Sequence, residues 1–423
     1  MDEADYPANE TSDLDEEAVD VSEVELSAED DVEDADLIEA DELSPDDLDD
    51  TVLYTLDWSV QSLLERIGST FDVNPSFQRR DAWTAERKSL YIESLMLGLP
   101  VPQVVLAEDR QTKGRFIVLD GKQRLVTLKQ FAAPSERYPQ FRLRKLDFLP
   151  EMEGMTFADV QASVLYSAYA ESFLSQPVRT IVVRNWGKES VLYHIFVRLN
   201  QASVSLSPQE LRQALFPGPF SNFINEASAG SSAIHRARRI KREDFRMRDA
   251  EMLLRFIAFE ERIEHYRGNL RAFLDDMANE GTTHWNQRQP RYMGHLRSCE
   301  RAIDLTFQIF GPKRAFLRFH AGRYVRRFNI AVFDAMTLVL ADPALDGVDL
   351  AAHTEDLRRA YEELCSGDEQ FQASLTTTTK TIPATLGRIA KWGAAVGSVI
   401  GTRPRISERA EAALNAYETG NVI

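Results

Sequence analysis

A chain of 423 residues, 43% of them apolar, has the length for roughly two to three domains and a large core. Its net charge of −18 is unevenly placed: residues 1–50 hold 24 of the 67 Asp and Glu and none of the 49 Lys and Arg, so the remainder carries a net +6. No apolar run approaches the ~20 residues of a membrane span, and the start has neither a basic nor an apolar leader region. Cys299 and Cys365 are too few and too far apart for a zinc ribbon or a disulfide framework. The expectation is a cytoplasmic protein with no membrane partner and two buried thiols.

Along the chain, repeated Asp-Glu clusters with few aromatics make residues 1–50 read as a disordered acidic tail. Its ordinary role is solubility, and its sharper one is a tethered polyanion that competes with nucleic acid for the basic body. Residues 59–67 predict a short amphipathic helix stopped by Gly68, followed by an extended run at 71–73. Thr84 suits the N-cap of a helix through Leu97, with Gly98 just past its end. Residues 103–107 and 115–119 read as strands across a polar loop at 109–114, and 178–183 as a further strand. Residues 188–200 predict a helix. Ser207-Pro208-Gln209-Glu210 is a capping box with Pro at the first helical position, so another helix starts there. From about 215 onward strand signals nearly vanish and helical periodicity takes over, with loops expected at 281–290 and 342–347. Residues 376–380 read as a polar linker, 389–392 as the opening of a last helical stretch, and 403–423 as a tail that frays.

One turn carries candidate chemistry. Phe116-Ile117-Val118-Leu119 is an apolar β-prone run, and Leu125, Leu128 and Phe131 recur at helical spacing after it, so Asp120-Gly121 is a strand-to-helix hinge. Gly121 permits unusual φ values and close approach of another group. The free N–H groups and positive dipole end of the helix, joined by Lys122 and Arg124, form a seat for a phosphate. Asp120 is placed to bind a metal ion or orient water, with Glu210 and Asp81 as weak candidates for a partner carboxylate. The plainer reading is a turn in which Asp120 only caps the helix.

The surrounding segments carry a resemblance. Pro75-Ser76-Phe77-Gln78-Arg79-Arg80-Asp81-Ala82-Trp83, then Gly98-Leu99-Pro100-Val101-Pro102, then Asp120-Gly121-Lys122-Gln123-Arg124 occur in order. Phe196-Val197-Arg198-Leu199-Asn200 and Leu206-Ser207-Pro208-Gln209-Glu210-Leu211-Arg212 follow. The stretch from about 55 to 215 resembles the N-terminal domain of GmrSD-type modification-dependent restriction systems, a ParB/sulfiredoxin-like domain of bacterial defence proteins. Lys122 departs from that family, which usually has Gln there. The substitution keeps a cation for phosphate but removes an amide that both donates and accepts.

The resemblance implies a ParB/sulfiredoxin-like small-sheet domain at 51–215 followed by a helical domain at 216–402; with the acidic tail at 1–50 and the C-terminal tail at 403–423 read from composition, the expected fold class is α+β. The resemblance also implies a nucleoside triphosphate, with Mg2+, bound or hydrolysed at the turn. Asp120, Gln123 and Arg124 are the catalytic candidates; Gly121, Lys122, Gln78, Arg79, Arg198 and Asn200 complete the nucleotide pocket. Larger relatives carry a His-Asn-His nuclease domain that this sequence lacks, so cutting DNA would need a separate nuclease or the motif domain itself. The alternative is a non-catalytic nucleotide- or DNA-binding switch that docks such an effector. No Gly-x-x-x-x-Gly-Lys-Ser/Thr loop, His-Glu-x-x-His pair or Gly-x-Ser-x-Gly elbow offers another chemistry.

Two basic stretches point to DNA as partner. Residues 235–248 include Arg238 and Arg239; residues 313–328 hold Arg323, Arg326 and Arg327 with aromatics interleaved and no acid. Read as a helix, the second stretch sets Arg323 and Arg327 on one side and lets Phe316 and Phe319 pack inward. The plainer reading is a solvated helix face.

Overall fold

The computed structural model describes residues 44–72, 83–110, 112–200, 207–244, 246–376 and 379–420. Five strands form a mixed sheet in the order β1-β5-β3-β4-β2: β1 Val52–Ser59, β2 Phe71–Asp72, β3 Val104–Glu108, β4 Phe116–Asp120 and β5 Pro177–Arg184. β1 runs antiparallel to β5, β5 parallel to β3, β3 antiparallel to β4, and β4 parallel to β2. β3 and β4 are continuous apolar runs because helices cover both sheet faces.

Alternate side chains enter two cores. Val104, Leu106, Phe116 and Val118 pack with α1 Val60–Arg66, α2 Ala85–Met96, α3 Lys122–Ala132, α4 Phe157–Ala162 and α5 Ser167–Ser175. Val105, Ala107, Ile117 and Leu119 face α6 Glu189–Asn200 and α7 Pro208–Leu215. In the first core, the buried carboxylate of Glu93 accepts from the backbone N–H groups of Asp147, Phe148 and Leu149 at 3.1, 2.8 and 2.8 Å. That local cap lets an irregular segment lie against the core without orphaned donors.

A third core gathers α8 Pro219–Gly230, α9 Ser232–Arg238, α10 Arg248–Arg262, α11 Leu270–Thr283, α12 Trp285–Phe310 and α13 Ile330–Leu340. It continues through α14 Thr354–Gly367, α15 Glu369–Ser374, α16 Ile382–Ile400 and α17 Arg405–Glu418. No described helix is long and apolar enough to cross a membrane. Cys299 and Cys365 are free buried thiols.

Several elements differ from the sequence reading. β1, absent from the sequence reading, is an edge strand in which Tyr54, Leu56 and Trp58 pack on the first core and alternate with Thr55, Asp57 and Ser59. Residues 281–290, expected as a loop, are the end of α11 and the start of α12, with Pro290 inside the helix. Gly281 serves packing there: a Cβ would lie 2.5 Å from the Phe220 ring. Residues 313–328, read as a helix, contain an antiparallel hairpin of β6 Leu317–His320 and β7 Arg323–Phe328. Its two-residue turn, Ala321-Gly322, has positive φ at both positions, 49° and 76°, which suits the twist of a hairpin. The expected C-terminal tail at 403–423 instead holds α17, whose Ile406 and Ala410 are buried. At the other end, residues 45–48 of the expected tail form a 3-10 turn, and Asp47 pairs with Lys188 at 2.7 Å. Residues 1–43 lie outside the described residues.

Candidate functional site

The corner between β4 and α3 is built by a bulge. Val118 pairs with Leu106 and Asp120 with Val105, so Leu119 is an extra residue on β4. Such a bulge re-aims the residue that follows it. Asp120 Oδ1 accepts from the Gly121 N–H at 2.7 Å, and Oδ2 accepts from Arg124 Nη2 at 2.7 Å. The same Nη2 donates to the Gln103 carbonyl at 3.0 Å, tying the corner to the start of β3. Gly121 is the N-cap of α3 at φ 97°, a left-handed conformation that favours glycine. A Cβ there would meet Val104 Cγ2 at 3.0 Å and Arg124 Nε at 3.2 Å. The bare glycine therefore admits the guanidinium of Arg124, one turn later on the same helix.

Three buried polar atoms at this corner have no hydrogen-bond partner among the described residues: Arg124 Nε, Gln123 Oε1 and the Tyr91 hydroxyl. Leaving such a group unpaired costs about 1–3 kcal/mol. Among the described residues, no side chain caps the N-terminus of α3. Tyr91, which sequence reading missed, lies near enough to Arg124 to feel its charge; burial pushes its phenol up, so it stays a neutral donor. Trp83 packs edge-on against Tyr91 with ring centroids 5.7 Å apart, while the Arg87 guanidinium lies over the Trp83 ring. Nothing in the spacing of Tyr91 from Asp120 marked it, because its place depends on how α2 packs on α3.

Lys122 has a structural partner. Its Nζ is 2.9 Å from Glu210 Oε1, and both side chains are buried, at 7% and 6% exposure. Glu210 Oε2 accepts from the Ser207 N–H at 2.8 Å, completing the capping box of α7. The ion pair thus clamps the first turn of α3 to the first turn of α7. Two residues on, Arg212 Nε donates to Asp275 Oδ1 at 2.6 Å, and the Tyr193 hydroxyl donates to the same oxygen at 3.2 Å. Arg212 and Tyr193 belong to α7 and α6, and Asp275 to α11, so the segment joins the corner to the helical core.

For a metal, the donors are sparse. Among the described residues no three His, Cys, Asp or Glu side chains cluster to hold an ion. Both Asp120 oxygens and both Glu210 oxygens already accept hydrogen bonds. Gln78, Arg79 and Asp81 lie outside the described residues. Arg198 is exposed in the last turn of α6, and Asn200 ends that helix; no described contact brings Arg198 to the corner.

The two basic stretches, far apart in sequence, meet in space. The Arg238 guanidinium lies over the Phe328 ring at 4.9 Å, and Arg239 Nη2 donates to the Pro312 carbonyl at 3.3 Å. Arg238 also pairs with Asp244 at 3.8 Å. Arg323, Arg326 and Arg327 are exposed on β7. In a strand, Arg323 and Arg327 share one face, as they would have on the expected helix, but Arg326 shares the face of Tyr324 and Phe328.

Residues 60–217 match the family model described as GmrSD restriction endonuclease, N-terminal domain. The match covers 158 of the 423 residues. No curated protein and no solved structure shows a significant match to the chain. The GmrSD segment opens at the first residue of α1 and closes two residues after α7, so it takes in the bulge, the corner and the Lys122–Glu210 clamp. β1 and the basic hairpin lie outside it.

Proposed function

We propose that this chain is a restriction-type defence protein whose GmrSD domain binds a nucleoside triphosphate at the Asp120–Arg124 corner and couples it to action on DNA. The observation that carries this reading is the set of unpaired polar atoms, Arg124 Nε, Gln123 Oε1 and the Tyr91 hydroxyl, beside an uncapped helix N-terminus. An oxyanion seated there would accept from Arg124, from Tyr91 and from backbone N–H groups of α3. Arg124 would stabilise charge that develops on a transferring phosphoryl group. Gln123, through its free oxygen, would hold an attacking water or a nucleotide N–H. Mg2+, which nucleotides commonly carry on their phosphates with few protein ligands, would reach Asp120 only in place of a hydrogen bond that its carboxylate now accepts from Gly121 or Arg124.

Release of inorganic phosphate from the four triphosphates, with Mg2+ and with or without DNA, tests the reading. Equal rates for wild type and an Asp120→Ala, Arg124→Ala double variant would end it.

A second reading has its own support. Lys122 is committed to Glu210, and Asp120 to Arg124, which leaves the corner short of free charge for catalysis. The domain would then bind nucleotide without turnover, and the clamp through Glu210 and Arg212 would pass that state to the helical core, where a separate nuclease docks. Saturable nucleotide binding with no phosphate release would select it.

A further inference from the structure

We infer that the β6–β7 hairpin, with the turn before it and the end of α9, is a contact surface for the phosphate backbone of duplex DNA. The inference rests on the reading that the chain acts on DNA, and it names where and how. Residues 311–330 hold Lys313, Arg314, Arg318, Arg323, Arg326 and Arg327 and no Asp or Glu. Lys313, Arg314, Arg323 and Arg326 are exposed, and none of the four forms an ion pair with a described carboxylate. Arg239 joins them through its bond to the Pro312 carbonyl. Elsewhere in the helical region several arginines are matched, Arg236 with Asp304, Arg301 with Asp346 and Arg409 with Glu264. What sets the ribbon apart is clustering: six cations within 20 residues and no acid among them, on an extended ribbon, is the chemistry of a polyanion contact.

The aromatic side chains decide which polyanion. Single strands are held by exposed rings on which bases stack. Here the rings turn inward: Phe319 packs on Tyr324 with centroids 5.1 Å apart, and Phe316 lies 5.3 Å from Phe333 of α13. The Tyr324 hydroxyl donates to Glu362 at 2.9 Å, and Phe319, Tyr324 and Phe328 all pack on the helical core. What remains outside is cationic and cannot stack on unpaired bases through these rings. A two-stranded ribbon fits the major groove of B-form DNA, whereas the deep, narrow major groove of A-form RNA excludes it.

Fluorescence anisotropy of the full chain with labelled duplex DNA across a salt series tests the surface. Arg323→Glu with Arg326→Glu should weaken binding about tenfold or more at low salt, and Arg323→Ala with Arg326→Ala should lower the slope of log affinity on log salt by about 2. Arg323→Lys with Arg326→Lys should restore most of the affinity, since a phosphate contact needs charge rather than a planar fork. An unchanged unfolding midpoint in each variant shows that the fold is intact. Wild type that binds duplex while the glutamate variant binds equally well overturns this surface but leaves DNA as partner. Wild type that binds no duplex, or prefers a single strand or RNA, overturns the inference and, in the first case, the DNA reading with it.

Discussion

The Asp120–Arg124 corner and the β6–β7 ribbon are both rich in basic residues, yet the fold treats their charges in opposite ways. At the corner Lys122 and Arg124 are buried, and each is paired with a carboxylate within 2.9 Å. On the ribbon Arg323 and Arg326 are exposed and make no ion pair with a described carboxylate. Water strongly screens the second kind of charge but leaves it available to a partner. Burial makes the first kind costly to leave unpaired, so it shapes the corner before it can serve chemistry. A basic residue in a motif is therefore no guide to ligand contact until its own partner is known. Lys122 is the clearest case, because its cation is held against Glu210.

Substitutions should separate the two regions by size of effect. Lys122→Ala leaves Glu210 buried without its cation and should cost about 3–5 kcal/mol in urea unfolding; a loss below about 1 kcal/mol would mean that the pair is not the clamp described above. Gly121→Ala should cost about 1–3 kcal/mol, since it places a Cβ at positive φ against Val104 and the Arg124 guanidinium. The same variant should weaken nucleotide binding in calorimetry, and unchanged affinity would detach Arg124 from the ligand. Removing residues 1–43, which hold a large share of the acids, should tighten duplex binding severalfold at low salt and little at high salt; equal affinity and equal salt slope would show that the tail does not compete for the ribbon. Smallest of all, Arg323→Ala should change stability by no more than about 0.5 kcal/mol, because the side chain is exposed. A larger loss would make the ribbon a structural element rather than a contact surface.

Much of the local architecture was legible in the sequence. Thr84 caps α2, accepting from Arg87 N–H, and Ser207 with Glu210 forms the capping box of α7, as their spacing implied. The strand-to-helix turn falls at Asp120-Gly121. These signals work because a cap or a hinge is satisfied within four residues of itself. Three misreadings share the opposite cause. Gly281 and Pro290 looked like loop residues, but Gly281 is required by the Phe220 ring across the helix interface. The 313–328 stretch has aromatics at spacings that fit a helix, and only the positive φ at Ala321 and Gly322 folds it back as a hairpin. The segment after Arg403 looked polar, although Ile406 and Ala410 pack as one side of a helix against the core.

The sequence by itself determined the resemblance of residues 60–217 to the GmrSD N-terminal domain, the hinge at Gly121, the helix caps and the segregation of acid into the first 50 residues, all of which are carried by neighbours along the chain. Tertiary structure alone decided which charges are spent and which are free. Lys122 meets Glu210 88 residues away, Arg212 meets Asp275 63 residues away, and Arg238 meets Phe328 from a separate basic stretch. A charge's availability depends on its burial and on the distance to its nearest opposite, and both are fixed only when distant segments pack.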